Sequence, residues 1–474
     1  MVIEKKNYDQ QEQLLLKLED GATIAADYDG GATLVLFFSV FIAVCGSFVC
    51  GCALGYSSPV QSGIMADLNI STAAYSLFGS MVTVGGLLGS LICGKLTDYI
   101  GRRGTMWLSD ILYFTGWLAI AFSKGVWSLD IGRLAVGFAM GLTIYVVPVY
   151  IAEITPRNLR GGSVLLSQLM LSCGIALVYI LGLATTWRAL ALIGAAPCII
   201  QFLGLFFIPE SPRWLIKVGH DKGCETTLQR LRGRKFDIAQ EAAQIKDCSE
   251  TVEHVSEDSF FNVFQMKYAF ALTISIGLMA LSAFGGTNGI LFYANTIFES
   301  AGVSGTLGTV TMALIQLPPT FLGVLLMDKC GRRPLLLGSV IGMGTACLFV
   351  ALSFLMKDHG WMTGFSPYLA LVGILIFSAA YPVGMGGIPF VIMSEIFPIN
   401  VKGAAGSLAT IVNWSSGWVV SYTFNFMMDW SSSGTFFTFT SINLLALLFV
   451  WKLVPETKGR TLEEIQESLT HTLY

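Results

Sequence analysis

Apolar residues in this chain fall into long runs separated by short polar stretches, with neither the two-residue alternation of a strand nor a one-sided helical stripe. A bilayer core of roughly 30 Å needs about 20 apolar residues per helix. Twelve runs meet that length: near 32–56, 73–95, 104–123, 127–152, 163–184 and 187–208, then near 268–293, 306–328, 334–356, 366–394, 403–428 and 434–454. The pattern predicts an all-α integral membrane protein with twelve spans in two sets of six. It also sets the divisions: a tail over 1–31, a six-helix half over 32–208, a polar linker over 209–267, a second half over 268–454 and a tail over 455–474. Gln229-Arg-Leu-Arg-Gly233 and Glu241-Ala-Ala-Gln-Ile245 are the parts of the linker expected to be helical.

The two halves carry matching motifs. Asp98-Tyr-Ile-Gly-Arg-Arg103 recurs as Asp328-Lys-Cys-Gly-Arg-Arg333. Glu153-Ile-Thr-Pro, followed by Arg160-Gly161, recurs as Glu395-Ile-Phe-Pro followed by Lys402-Gly403. Pro209-Glu-Ser211 recurs as Pro455-Glu-Thr457. The offsets of 230, 242 and 246 residues point to a duplicated six-helix unit. Two such units rocking against each other would expose a midplane site alternately to the two sides of a membrane.

Composition agrees with the run pattern. The chain of 474 residues is 54% hydrophobic and 12% charged, about half the charge of a soluble domain. The net charge of −3 argues against nucleic acid as a partner. Placed on this topology, 24 of the 28 Lys and Arg fall on the side of the termini, with only Lys124, Arg188 and Lys357 opposite and Arg133 inside a run. Both termini are therefore expected in the cytosol. The ten cysteines lie mostly within apolar runs and read as small buried side chains, and no spacing suggests a metal. No nucleophile–base pair appears, so the chain is not expected to be an enzyme or to need a cofactor.

Three groups of residues could carry function. The first is a charged layer at the cytosolic helix ends: Asp98, Arg102, Arg103, Glu153, Arg160, Glu210, Asp328, Arg332, Arg333, Glu395 and Glu456. Partly desolvated guanidinium–carboxylate pairs there would clamp the cytosolic ends of the halves and release them as the cavity opens inward. The second is Arg133 in Gly132-Arg-Leu-Ala-Val-Gly137, an intramembrane cation that needs a partner. The first run reads Gly51-Cys-Ala-Leu-Gly-Tyr-Ser-Ser-Pro59 and offers no acid; Asp110, in the third run, is expected to form a structural salt bridge. The third is a set of amides, aromatics and glycines in otherwise apolar runs: Phe48, Gln168, Asn288, Tyr293, Gln316, Gly386, Phe390, Asn413 and Trp414. Amides in hydrocarbon are costly unless they face a cavity or one another, and amides beside rings suit a sugar.

Gly94-Lys-Leu-Thr-Asp-Tyr-Ile-Gly-Arg-Arg103, Gly132-Arg-x-x-x-Gly137, Pro209-Glu-Ser-Pro-Arg-Trp214, Asp328-x-x-Gly-Arg-Arg333 and Pro455-Glu-Thr-Lys-Gly-Arg460 resemble the signature of the sugar porter family of the major facilitator superfamily. Gly-Tyr-Ser-Ser-Pro in the first run and the short tail are similar to the plant early-responsive-to-dehydration-six-like monosaccharide transporters. The resemblance implies sugar contacts at Gln168, Asn288, Gln316 (in place of an asparagine), Gly386, Phe390 (in place of a tryptophan), Asn413 and Trp414. Where the family has Gln-Gln before Gly-x-Asn, this chain has Ser282-Ala283. Each lost hydrogen bond costs about 1 kcal/mol, so weak, millimolar affinity is expected. Ser57 stands where proton symporters of the family carry an aspartate. The resemblance thus implies facilitated diffusion of a hexose, glucose foremost, by a monomer working without proton coupling.

The alternatives are a proton-coupled hexose symporter or antiporter and a non-transporting membrane sugar receptor. The resemblance also implies the vacuolar membrane, with the plasma membrane as alternative. Asp9-Gln-Gln-Glu-Gln-Leu-Leu-Leu16 reads as an adaptor-recognised sorting signal centred on Leu14, Leu15 and Leu16.

Overall fold

The computed structural model describes residues 33–233, 236–255, 263–265, 268–362, 364–397 and 399–458. Among these there is no strand. Among the described residues nine helical stretches are long and apolar enough to cross a membrane. The sorting segment at Leu14, Leu15 and Leu16 lies outside the described residues.

The first half contains α1 (Leu34–Gly55), α2 (Ser57–Leu68), α3 (Thr72–Ala121), α4 (Val126–Ile154), α5 (Arg157–Leu181) and α6 (Trp187–Gly204). Side-chain caps set several starts: Thr33 accepts from Leu36 N, Ser71 from Ala74 N and Thr186 from Ala189 N, each satisfying an otherwise orphaned amide. The linker supplies α7 (Pro212–Lys217), α8 (Asp221–Arg232) and α9 (Ala239–Val255), so both segments expected to be helical there are.

The second half contains α10 (Ala269–Ser282), a π turn over Ala283–Thr287, α11 (Asn288–Ala301), α12 (Gly305–Cys330), α13 (Arg332–Asp358), α14 (Ser366–Val383), α15 (Ile388–Ile396), α16 (Ile399–Trp430) and α17 (Ser432–Leu453).

Three departures from continuous helices matter for function. The 50-residue α3 breaks at Gly101, where φ is +81°. The seventh run breaks at Gly286, with φ +100°, and Asn443 Nδ2 donates to the Gly285 carbonyl at 3.1 Å beside the break. The tenth run opens over Gly384–Gly387; there the Ser339 hydroxyl accepts from Met385 N and Ser282 Oγ donates to Met385 O. Gly-rich sequence permits each break, and a polar side chain from a neighbouring helix supports the second and third.

Helices approach closely where glycines face each other. A Cβ at Gly85 or Gly137 would stand 2.3 Å from the carbonyl oxygen of Leu134 or Val82, so α3 and α4 pack backbone to backbone.

Candidate functional site

Each Gly-Arg-Arg segment begins a helix that receives a carboxylate on its backbone. Glu210 accepts from Arg102 N (3.1 Å) and Arg103 N (3.0 Å). Glu456 accepts from Arg332 N and Arg333 N, both at 3.0 Å. The glycine makes room: a Cβ at Gly101 would stand 2.6 Å from Glu210 Oε2, and one at Gly331 (φ +89°) 2.7 Å from Glu456 Oε2. A helix start with free N–H groups and a positive dipole end is a natural carboxylate seat.

The guanidiniums go elsewhere. Arg102 Nε and NH2 both donate to Glu153, each at 2.8 Å. Ser211 Oγ donates to the same carboxylate at 2.6 Å. Asp98 stands 3.7 Å from Arg102 and 2.8 Å from Lys217. In the second half Arg332 NH2 donates to Glu395 at 2.9 Å. Arg103 lies over the Trp107 ring, and Arg333 donates to the Trp451 carbonyl. The side chains of Arg160 and Asp328 lie outside those described. In this conformation every described ion pair of the charged layer joins residues of one half, where the nearest carboxylate is on the helix packed alongside. Among the described residues no ion pair of this layer joins one half to the other.

Polar contacts between the halves concentrate at the opposite end. Ser58 Oγ accepts from Asn295 N, Gln61 Oε1 from Thr296 Oγ1 and Ser76 Oγ from Asn425 Nδ2, at 2.9, 2.8 and 2.9 Å. Tyr179 OH donates to the Leu291 carbonyl at 2.6 Å. The Tyr293 hydroxyl donates to the Ser421 carbonyl at 2.9 Å, and its ring stacks on Phe424 at 5.2 Å.

The expected sugar residues gather on several helices. Asn288 leans against α16: a Cβ at Gly417, one turn from Asn413 and Trp414, would stand 2.3 Å from its Nδ2. Trp414 Nε1 donates to Ser90 Oγ at 3.1 Å across the halves, and its ring tip covers Gly86. Gly386 lies in the break before α15, with the Tyr381 ring against it. Gln168 on α5 and Phe390 on α15 are exposed, and Phe48 on α1 and Gln316 on α12 are half-buried. Tyr293 is fully buried in the closed end. Ser282 is bound to a main-chain carbonyl, so its hydroxyl proton is already engaged.

Arg133 is fully buried. It donates to the Ala53 carbonyl (2.9 Å) and Ser57 Oγ (2.5 Å), and faces the rings of Tyr56 and Phe78 at 5.8 and 5.4 Å. Among the described residues it forms no ion pair. Asp110 is also buried, and both its oxygens lack a hydrogen-bond partner. The structural salt bridge expected of it is absent among the described residues because no basic side chain reaches it.

Two groups outside the spans carry opposite shifts. Burial pushes Glu210 above the ordinary carboxylate range, although backbone N–H donors from Ser211, Arg103 and Arg102 pull the other way. Burial acts in the same sense on Glu456, but N–H donors from Lys458, Arg332, Arg333 and Thr457 outweigh it and hold the group below that range.

A two-part, all-helical membrane architecture with a Gly-Arg-Arg hinge in each part defines the major facilitator superfamily. Within it the chain belongs to the family described as Sugar (and other) transporter, whose sequence model matches residues 35–469. It is a membrane sugar transporter and not an enzyme. It is similar to Sugar transporter ERD6-like 17 of Arabidopsis thaliana, at 50% identity over 93% of each chain. It is similar also to Sugar transporter ESL1 of the same plant, at 48% over 93% of this chain and 94% of that one. Among solved structures, an inward-open conformation of the xylose transporter XylE from E. coli is 26% identical, with a TM-score of 0.74–0.77 across this form (0.77) and the proton:xylose symporter bound to 6-bromo-6-deoxy-D-glucose (0.74). The first alignment covers 91% of this chain and 99% of that one, the second 92% and 99%.

Proposed function

We propose that this protein carries a monosaccharide, a hexose with glucose foremost, by facilitated diffusion through alternating access, with low affinity and as a monomer in the vacuolar membrane with both termini cytosolic. Sugar binds between the halves to Gln168, Asn288, Gln316, Asn413 and Trp414, with Phe48, Gly386, Phe390 and Tyr293 shaping the site. The Arg–carboxylate layer holds the cytosolic end shut in the outward-facing state; the sorting adaptors expected to read Leu14–Leu16 set the destination.

The observation that carries the reading is the company Arg133 keeps. Its two terminal guanidinium nitrogens donate to a main-chain carbonyl and the Ser57 hydroxyl, neither of which changes charge across physiological pH, while its Nε has no partner among the described residues. An arginine latched to neutral partners gives a carrier no titrating acid at that point, so sugar moves down its own gradient. Engagement of Ser282 by the Met385 carbonyl removes a donor that a sugar hydroxyl would otherwise use, in keeping with weak binding.

The test is counterflow and net uptake in proteoliposomes across a panel of monosaccharides, with and without an imposed pH gradient. The expected result is saturable hexose uptake that equilibrates and ignores the gradient. Accumulation above equilibrium when the gradient is imposed overturns uniport in favour of the symporter or antiporter. Sugar binding without any flux would point to a receptor.

A further inference from the structure

A second group of buried polar side chains lies inside the first half. Asp110 on α3 is 1% exposed, and neither carboxylate oxygen has a hydrogen-bond partner. Gln201 on α6 is also 1% exposed, and both its amide atoms are unpartnered. The two meet a common stretch of α1. Asp110 is within electrostatic reach of Cys45 on α1 and Cys198 on α6. Gln201, one turn beyond Cys198, lies over Gly46, the neighbour of Cys45: a Cβ there would stand 2.7 Å from the amide nitrogen and 2.8 Å from its oxygen. Four orphaned polar atoms thus occupy one junction of α1, α3 and α6.

Among the described residues no cationic side chain pairs with the carboxylate. The titratable groups around it are the Cys45 and Cys198 thiols, with Tyr113 one turn along α3 itself and the Cys50 thiol beside Tyr113. No lysine or arginine forms an ion pair with Asp110 among the described residues. A bare carboxylate away from water costs far more than any packing gain there could offset. A buried amide with both ends idle adds about 1–3 kcal/mol for each unmet group. Such sites persist in proteins when a ligand completes them.

We propose that the α1/α3/α6 junction is a binding site for a monovalent cation, a proton or an alkali ion, with Asp110 supplying the charge and the Gln201 amide oxygen a neutral donor. A single carboxylate with one amide balances one positive charge and matches the preference of hard cations for oxygen. Gly46 keeps the amide in place by leaving it the room a side chain would fill. Because α1 also carries the Ala53 carbonyl that holds Arg133, cation occupancy bears on the helix that leads into the closed end.

The experiment uses the full-length protein, with thermal unfolding in detergent and sugar counterflow in proteoliposomes. Both are measured in sodium, potassium and choline chloride at fixed ionic strength and pH, then across a pH series in choline. An alkali ion at the site gives a saturable rise in the unfolding midpoint of at least about 2 °C with one cation over choline, lost in Asp110→Asn. A proton at the site gives no dependence on cation identity but a pH-dependent midpoint and counterflow rate that Asp110→Asn flattens.

Gly46→Ala, which keeps the carboxylate and displaces the amide, shifts the half-saturating ion concentration or pH midpoint several-fold, and serves if Asp110→Asn does not fold. A wild-type protein indifferent to both cation and pH overturns the proposal, as does a dependence unchanged in both variants.

Discussion

The two Gly-Arg-Arg hinges share a sequence, yet the first is closed and the second is half-built. In the first, Arg102 grips Glu153 with two nitrogens, Ser211 adds a third hydrogen bond to the same carboxylate, and both charged side chains are 11% exposed. In the second, Arg332 grips Glu395 with one nitrogen; Arg332 Nε and Glu395 Oε2 have no hydrogen-bond partner, and exposure rises to 15% and 27%. Thr457 replaces Ser211, and its hydroxyl is unpartnered. A bidentate, fully partnered pair in a desolvated layer is stiffer than a single contact with idle lone pairs. The two copies of the motif share the backbone seat for the glutamate and differ in the side-chain brace, so the second has the looser joint.

The largest expected effect tests that brace. Glu153→Ala leaves Arg102 buried without its carboxylate and is expected to cost about 3–5 kcal/mol, because the stranded charge loses the partner that offset its desolvation. Glu395→Ala removes one hydrogen bond from a wetter pair and is expected to cost about 1–2 kcal/mol. Denaturant unfolding of both variants in matched detergent measures the difference; equal losses would dismiss the asymmetry between the hinges.

A change at the shared seat should instead act alike in both halves. Gly101→Ala and Gly331→Ala each force a side chain into positive φ and push a Cβ to 2.6–2.7 Å from a glutamate oxygen. Each is expected to cost about 1–3 kcal/mol, with the two values within about 1 kcal/mol of each other. The same unfolding series reads them, and a Gly331→Ala protein as stable as wild type would show that the second glutamate is not seated as drawn.

How much of this was legible in sequence depends on which atoms do the work. The helical, membrane-spanning runs followed from apolar length, because burial resides in side chains that a sequence names. The seats of Glu210 and Glu456 were not legible: main-chain N–H groups hold them, and every residue but proline has one. Arg102 and Arg332 meet carboxylates, but the choice of Glu153 and Glu395 over a partner in the other half depends on which helices pack together. Helix continues past the first run: Tyr56 keeps helical angles, and α2 carries the chain on to Leu68 through residues too polar to register as a span. Of the candidate sugar residues, Asn288, Asn413 and Trp414 converge through α16 packing, which no local pattern encodes.

A smaller effect isolates the third bond of the first hinge. Ser211→Ala removes a hydroxyl that donates to Glu153 at 2.6 Å and also accepts from Trp214 N at the start of α7. The expected cost is about 1 kcal/mol. Thr457→Ala removes a hydroxyl without a partner and is expected to fall within about 0.5 kcal/mol of wild type. A larger loss at Thr457 than at Ser211 would reverse the order of the two hinges.

The smallest effect is the pH response of the two seats, and its signs are opposite. Glu210 is raised in the folded protein, so the stability linked to it is full below the unfolded carboxyl range and is lost as pH rises through the folded value. Glu456 is lowered, so its contribution is present above the unfolded range and is lost as pH falls through the folded value. Acidification from neutrality toward pH 4 therefore favours the first hinge over the second. Amide hydrogen exchange at 102–106 and at Arg332, Arg333, Leu335 and Leu336, corrected for intrinsic rates at each pH, measures this directly. Protection at the second hinge should fall relative to the first on acidification, Glu456→Gln should remove that fall, and Glu210→Gln should leave it. Parallel protection at both hinges across the series would mean that the two glutamates, for all their different surroundings, titrate as equals.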